Sequence, residues 1–124
     1  MKSDRQLLGK SGEDLAAKYL QDKGLEIIQQ NYRAGRGEID LICKDSDSLV
    51  VVEVKSVRVP GFGSGEERIP LKKQKKIIAT TYAFLDEYPE FSGFGVRFDA
   101  VVVNFDKYPV RISHYESAFW QQLS

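Results

Sequence analysis

One cysteine, one histidine and no net charge are the scarcities of this 124-residue chain. The lone Cys43 closes no internal disulfide, and with only His114 to join it no Cys/His zinc site forms within one chain. Serine- and cysteine-nucleophile hydrolases are disfavoured too: His114 is the only histidine base, and nothing places it near Cys43 or a serine. Lys and Arg number 18 against 18 Asp and Glu. That balance argues against a generic nucleic-acid coat protein, which is strongly basic. It leaves room for a nuclease, whose acidic metal site offsets local basic patches. No apolar run approaches the roughly 18–20 residues that span a bilayer. The start, Met1 to Arg5, lacks a signal-peptide apolar region. A cytoplasmic protein without membrane contact is the expectation.

The length fits one compact domain. Leu8, Leu15, Ala16, Tyr19 and Leu20 recur at helical spacing, so residues 3–23 read as a helix closed by Gly24. Gly9 and Gly12 weaken its first half and put the regular helix near Ser11. Residues 25–32, 38–43 and 49–57 read as three strands, the last two joined by the polar, turn-rich run Lys44 to Ser48. Arg58 to Arg68 is Gly-rich and reads as a loop. A second helix follows over 70–88, with Pro70 in its first turn and Ile77, Ile78, Thr81, Phe84 and Leu85 as its stripe. Strands over 96–105 and 110–115 and a short closing helix over 117–123 complete the order α-β-β-β-α-β-β-α. The fold class is α/β: a single domain, residues 1–124, with a central mixed sheet flanked by helices.

The chemistry concentrates in Gly37-Glu38-Ile39-Asp40 and Val52-Glu53-Val54-Lys55. Side chains two apart on a strand share a face, so Glu53 and Lys55 point one way, as do Glu38 and Asp40. A hairpin brings Asp40 and Glu53 onto neighbouring strands. Two carboxylates and a backbone carbonyl, here that of Val54, suffice for a hydrated Mg²⁺ or Mn²⁺. Lys55 beside them is placed to orient or deprotonate a water, or to stabilise developing charge. Glu13, at the edge of the first helix's apolar stripe, is a further candidate acid.

The helix bearing Glu13, the two carboxylate strands and the basic helix after them resemble the PD-(D/E)XK nuclease superfamily. More closely, with Asn31-Tyr32-Arg33 and Val96-Arg97-Phe98-Asp99 as added landmarks, the chain resembles the small bacterial YraN-like family, from about Gly9 to Phe105. The resemblance implies a restriction-endonuclease-like or Holliday-junction-resolvase-like fold. It implies Asp40 and Glu53 as metal ligands, Lys55 as catalytic lysine, Glu13 as auxiliary acid, and metal-dependent hydrolysis of DNA. Ile39 stands where the superfamily name has proline.

Lys72-Lys73-Gln74-Lys75-Lys76 opens the second helix. A charge run of this kind is usually a solvated face, yet a helix N-terminus also suits phosphate. Lys73, Lys76 and Gln74, with Arg33 and Arg36, are the candidate nucleic-acid contacts. Glu38 is as well suited to pair with a neighbouring arginine. Arg97 and Asp99 read as a structural pair, His114 as a surface or packing residue, Cys43 as a small buried one. Phe119 and Trp120 read as packing on the core or a partner subunit. The function expected is a metal-dependent DNA endonuclease, for which a homodimer would suit paired cuts on a symmetric junction. The alternatives are a non-catalytic nucleic-acid-binding module of the same fold and a structural protein whose charges are simply paired.

Overall fold

The computed structural model describes residues 4–58, 60 and 69–119, with side chains from Lys10 onward. Helix α1 (Asp4–Asp22) leads into strands β1 (Glu26–Ala34), β2 (Gly37–Asp45) and β3 (Ser48–Val57). Helix α2 (Leu71–Glu87), a 3₁₀ turn at Pro89–Phe91, and strands β4 (Gly95–Asn104) and β5 (Arg111–Phe119) follow. The five strands form one sheet in the order β1-β2-β3-β4-β5. All neighbours are antiparallel except β3 and β4, whose parallel pairing runs from Ser48–Gly95 to Val57–Asn104. Only that link needs a crossover, and α2 supplies it.

The sheet's faces divide the core. Val50 and Val52 of β3, with Leu41, Cys43, Val101 and Val103, bury against Ala16, Ala17 and Leu20 of α1. Leu49 and Val51, with Ile39, Ile42 and Phe98, bury against Ile77 and Phe84 of α2. The central strand is thus apolar over four consecutive residues because helices cover both its faces. Phe84 anchors the second layer, meeting Tyr32 edge-on at 5.2 Å and Tyr88 at 4.7 Å between centroids. Among the described residues no helix is long and apolar enough to cross a membrane.

Two close approaches set the layer spacing. A Cβ at Gly12 would overlap the Ser56 side chain, and one at Gly37 would overlap Thr80. Helix α1 is regular from Asp4, not from Ser11, and Gly12 lies within it where it comes close to β3.

The expected closing helix is overturned where it is described. Residues 117–119 belong to β5, which runs on to Phe119. Phe119 stacks on Phe98 within the chain, with centroids 4.8 Å apart, and Ser117 gives its backbone N–H to Asp99 at 2.9 Å. Residues 120–123 of that expectation, Trp120 among them, lie outside the described residues, as does most of the Gly-rich loop. The described order is α-β-β-β-α-β-β, with the 3₁₀ turn after α2.

Candidate metal and nucleic-acid site

β2 and β3 pair from Asp45–Ser48 to Leu41–Val52, and there the ladder stops. Asp40 and Glu53 are the next residues outward, where the strands splay. Asp40 Oδ2 takes the place of a partner strand by accepting the N–H of Val54 at 2.8 Å. The Val54 contact at Asp40 is thus made by its N–H, whereas the sequence reading offered its carbonyl as a ligand.

Asp40 and Glu53 come together beyond the end of the ladder, close enough for the charge of one to act on the other. Burial, then the negative charge of Glu53, push the Asp40 carboxyl up to about 7, with the Val54 N–H acting against them. Two carboxylates that act on each other in this way resist ionising together. Glu53, only 12% exposed, also meets Lys73 Nζ at 2.7 Å. Half-burial disfavours the Lys73 charge, yet the hydrogen bond and charge of Glu53, with Asp40 and Glu38 behind it, hold its pKa above the ordinary value.

Glu13 belongs to the same field. Its pKa is raised by burial, then by Asp40, while Asn31 lowers it. With its amide nitrogen turned toward the acids, Asn31 donates to Glu13 Oε2 at 3.0 Å and Glu38 Oε1 at 3.3 Å. Asn31 reaches them from a left-handed backbone (φ 55°), which asparagine tolerates better than most residues. Glu38 also meets Arg33 at 3.6 Å, the pairing open to it from sequence.

The donors are hard oxygens and suit a divalent cation, and an ammonium group already sits against one of them. Among the described residues no group of three or more His, Cys, Asp or Glu side chains is gathered to hold an ion. Asp40 and Glu53 are therefore the protein carboxylates on offer, and water would complete the shell.

Lys55 and Glu53 line one cavity of about 470 Å³ on the α2 face, together with Lys73 and Gln74. Gln74 donates its side-chain amide to the Ile69 carbonyl at 2.7 Å, tying α2 to the segment before it. Arg36, Lys72, Lys73 and Lys76 line a second recess between α2 and the β1–β2 turn. Arg33 does not line that recess itself but pairs with Glu38, which does.

A second polar cluster escaped the sequence reading in part. Arg97 and Asp99 pair as expected, through two bonds of 2.9 and 3.0 Å. His114, however, is no isolated residue: its Nε2 meets Asp99 Oδ2 at 2.8 Å and its Nδ1 meets Lys23 Nζ at 2.9 Å. Burial opposes ionisation of the fully buried Asp99, but His114, Arg97 and the Ser117 N–H outweigh it and lower its pKa. The signal was not local: Lys23 and His114 lie 91 positions apart.

A protein from Phocaeicola vulgatus is 38% identical over 93% of each chain. One from Anaeromyxobacter dehalogenans is 40% identical over 93% of this chain and 85% of its own. One from Pseudomonas syringae pv. tomato is 34% identical over 95% of this chain and 96% of its own. All three are named as UPF0102 proteins. The solved structure of Pyrococcus furiosus SfsA in complex with Ca²⁺ matches 91% of this chain and 64% of that one at 21% identity. Its TM-score of 0.34 is too low to extend the comparison to architecture or chemistry. The model of the uncharacterised protein family UPF0102 matches residues 12–103, from the glycine under Ser56 to the end of the core of β4, and the chain belongs to that family.

Proposed function

We propose that the chain is a metal-dependent nuclease of the PD-(D/E)XK type on a restriction-endonuclease-like fold, hydrolysing DNA phosphodiester bonds. The observation that carries this reading is the half-buried Asp40–Glu53 pair, in which the charge of Glu53 raises the Asp40 pKa while Glu53 itself faces Lys73. A fold gains no stability from two acids forced together, so their cost points to use. Asp40 and Glu53 would hold Mg²⁺ or Mn²⁺, which when bound supplies positive charge for the phosphoryl oxygens and an ordered water.

The chain's own groups do the rest. A bound cation would favour the ionised form of Asp40 over the protonated one that Glu53 and burial now favour. Lys55, on the Glu53 side of the cavity, orients the attacking water or offsets charge on the phosphoryl group. Lys73 exchanges Glu53 for a phosphate oxygen. Arg36, Lys72 and Lys76 hold the flanking backbone in their recess. Glu13 adds negative charge behind Asp40 and deepens the demand for a cation.

The test is cleavage of labelled four-way junction, flap, single-stranded, duplex and RNA substrates with Mg²⁺ or Mn²⁺. Wild type and Glu53→Gln, purified identically, run side by side. Cleavage by wild type alone is the expected result. Equal cleavage by both refutes the assignment, and salt-dependent binding without cleavage by either moves it to a binding module.

A further inference from the structure

The cavity beside Glu53 is larger than a phosphate needs, and only part of its wall suits one. Beside its polar groups, Lys55, Lys73 and Gln74 among them, the wall includes Ala100 and Val102 of β4, and Tyr115 and Ala118 of β5. Residues three apart on a regular strand face opposite ways. Tyr115 and Ala118 line one cavity because β5 bulges between them. Ala100 pairs with Tyr115 and Phe98 with Phe119, so four steps along β5 match two along β4. The bulge is pinned: Ser117 sits at φ 53° and gives its N–H to Asp99, itself held by Arg97 and His114. A bulge re-aims side chains, and here it adds a second wall residue next to the carboxylates.

Resting on the nuclease reading, we propose that this cavity receives one unstacked nucleobase next to the scissile phosphate, so that the substrate is DNA with an unpaired nucleotide at the cut. A partly apolar wall with one aromatic ring suits a base face, which stacks on tyrosine whatever its sequence, and the polar groups beside it suit the base edge. The lysines at Glu53 meet the phosphates on either side of that base. The volume, about 470 Å³, lies at the lower end of the roughly 300–1,000 Å³ of small-ligand sites. A fully paired duplex must extrude a base to fill the cavity, and an unpaired one need not.

The experiment compares a duplex carrying one unpaired 2-aminopurine with the fully paired duplex, by fluorescence on binding and by cleavage. Wild type, Ala118→Trp, which fills the cavity, and Tyr115→Leu, which removes the ring, are each checked for wild-type circular dichroism. Wild type should change the 2-aminopurine signal and favour the unpaired substrate about tenfold or more, and both variants should lose most of that preference. Equal binding and cleavage of the two duplexes by wild type overturns the inference while leaving the nuclease standing. Absence of any cleavage with the fluorescence change intact overturns the nuclease and leaves the base site. Binding without a fluorescence change, or no binding at all, overturns the base site outright.

Discussion

Replacing Asp40 by asparagine should stabilise the fold while ending its chemistry. The Asp40 carboxyl titrates at about 7 instead of its ordinary 3.8, because it is buried against Glu53. The folded state therefore binds a proton more tightly than the unfolded chain, and stability falls as pH rises between those two values. At about 1.4 kcal/mol per tenfold change in proton affinity, the gap amounts to roughly 4 kcal/mol lost by pH 8. Side-chain relaxation and Lys73 against Glu53 reduce this, so about 2–4 kcal/mol is the range to look for. Asparagine mimics the protonated acid: its oxygen accepts the Val54 N–H and its amide donates to Glu53. Urea unfolding at pH 8 should show Asp40→Asn more stable than wild type by that amount, and the difference should shrink toward zero near pH 4. Millimolar Mn²⁺ should raise wild-type stability at pH 8 and leave the variant unmoved. A variant no more stable than wild type at pH 8, or equally stabilised at both pH values, refutes the account of the acid pair.

Gly12→Ala should cost about 1–3 kcal/mol in thermal unfolding, because its Cβ overlaps Ser56, and Ser56→Ala in the same chain should recover part of the loss. Asp99→Asn should cost about 3–5 kcal/mol by leaving Arg97 and His114 without their buried anion. Because the Asp99 pKa is lowered, the stability it contributes in wild type is present above its ordinary 3.8 and disappears only as pH falls through the still lower folded value. A denaturation series extended into acid checks that direction. Arg36→Ala with Lys76→Ala should weaken DNA binding across all sequences and lower the slope of log affinity against log salt by about 1.8; an unchanged slope removes the recess from the phosphate path.

What the sequence disclosed was local. The β2–β3 hairpin, and with it the nearness of Asp40 and Glu53, followed from two β-rich runs and a polar turn between them. The helices followed from apolar spacing, since Ile77 and Phe84, like Ala16 and Leu20, do face the sheet. What stayed hidden depends on distant partners. Ser117, Phe119 and their neighbours carry a helix-like apolar spacing, but Asp99 captures the Ser117 N–H and Phe98 stacks on Phe119, so the chain stays extended. Gly12 reads as a helix weakener until the strand beneath it is known. His114 gains its role only once β5 lies beside β4 and the end of α1. Lys73 was legible as a phosphate contact beside Lys76, but its pairing with Glu53 depends on the crossover of α2.

That crossover also orders events in time. The Asp40–Glu53 pair sits on one hairpin with a two-residue turn, contacts that close early because little chain must be ordered to make them. Lys73 and the parallel strand β4 arrive only after the long connection from β3 is closed. The nascent hairpin thus carries its acids before their counter-charge is in place. Those acids are still in water at that stage, so the cost of bringing them together falls on the later step that buries them, and refolding of this protein should run faster in mild acid than in mild alkali.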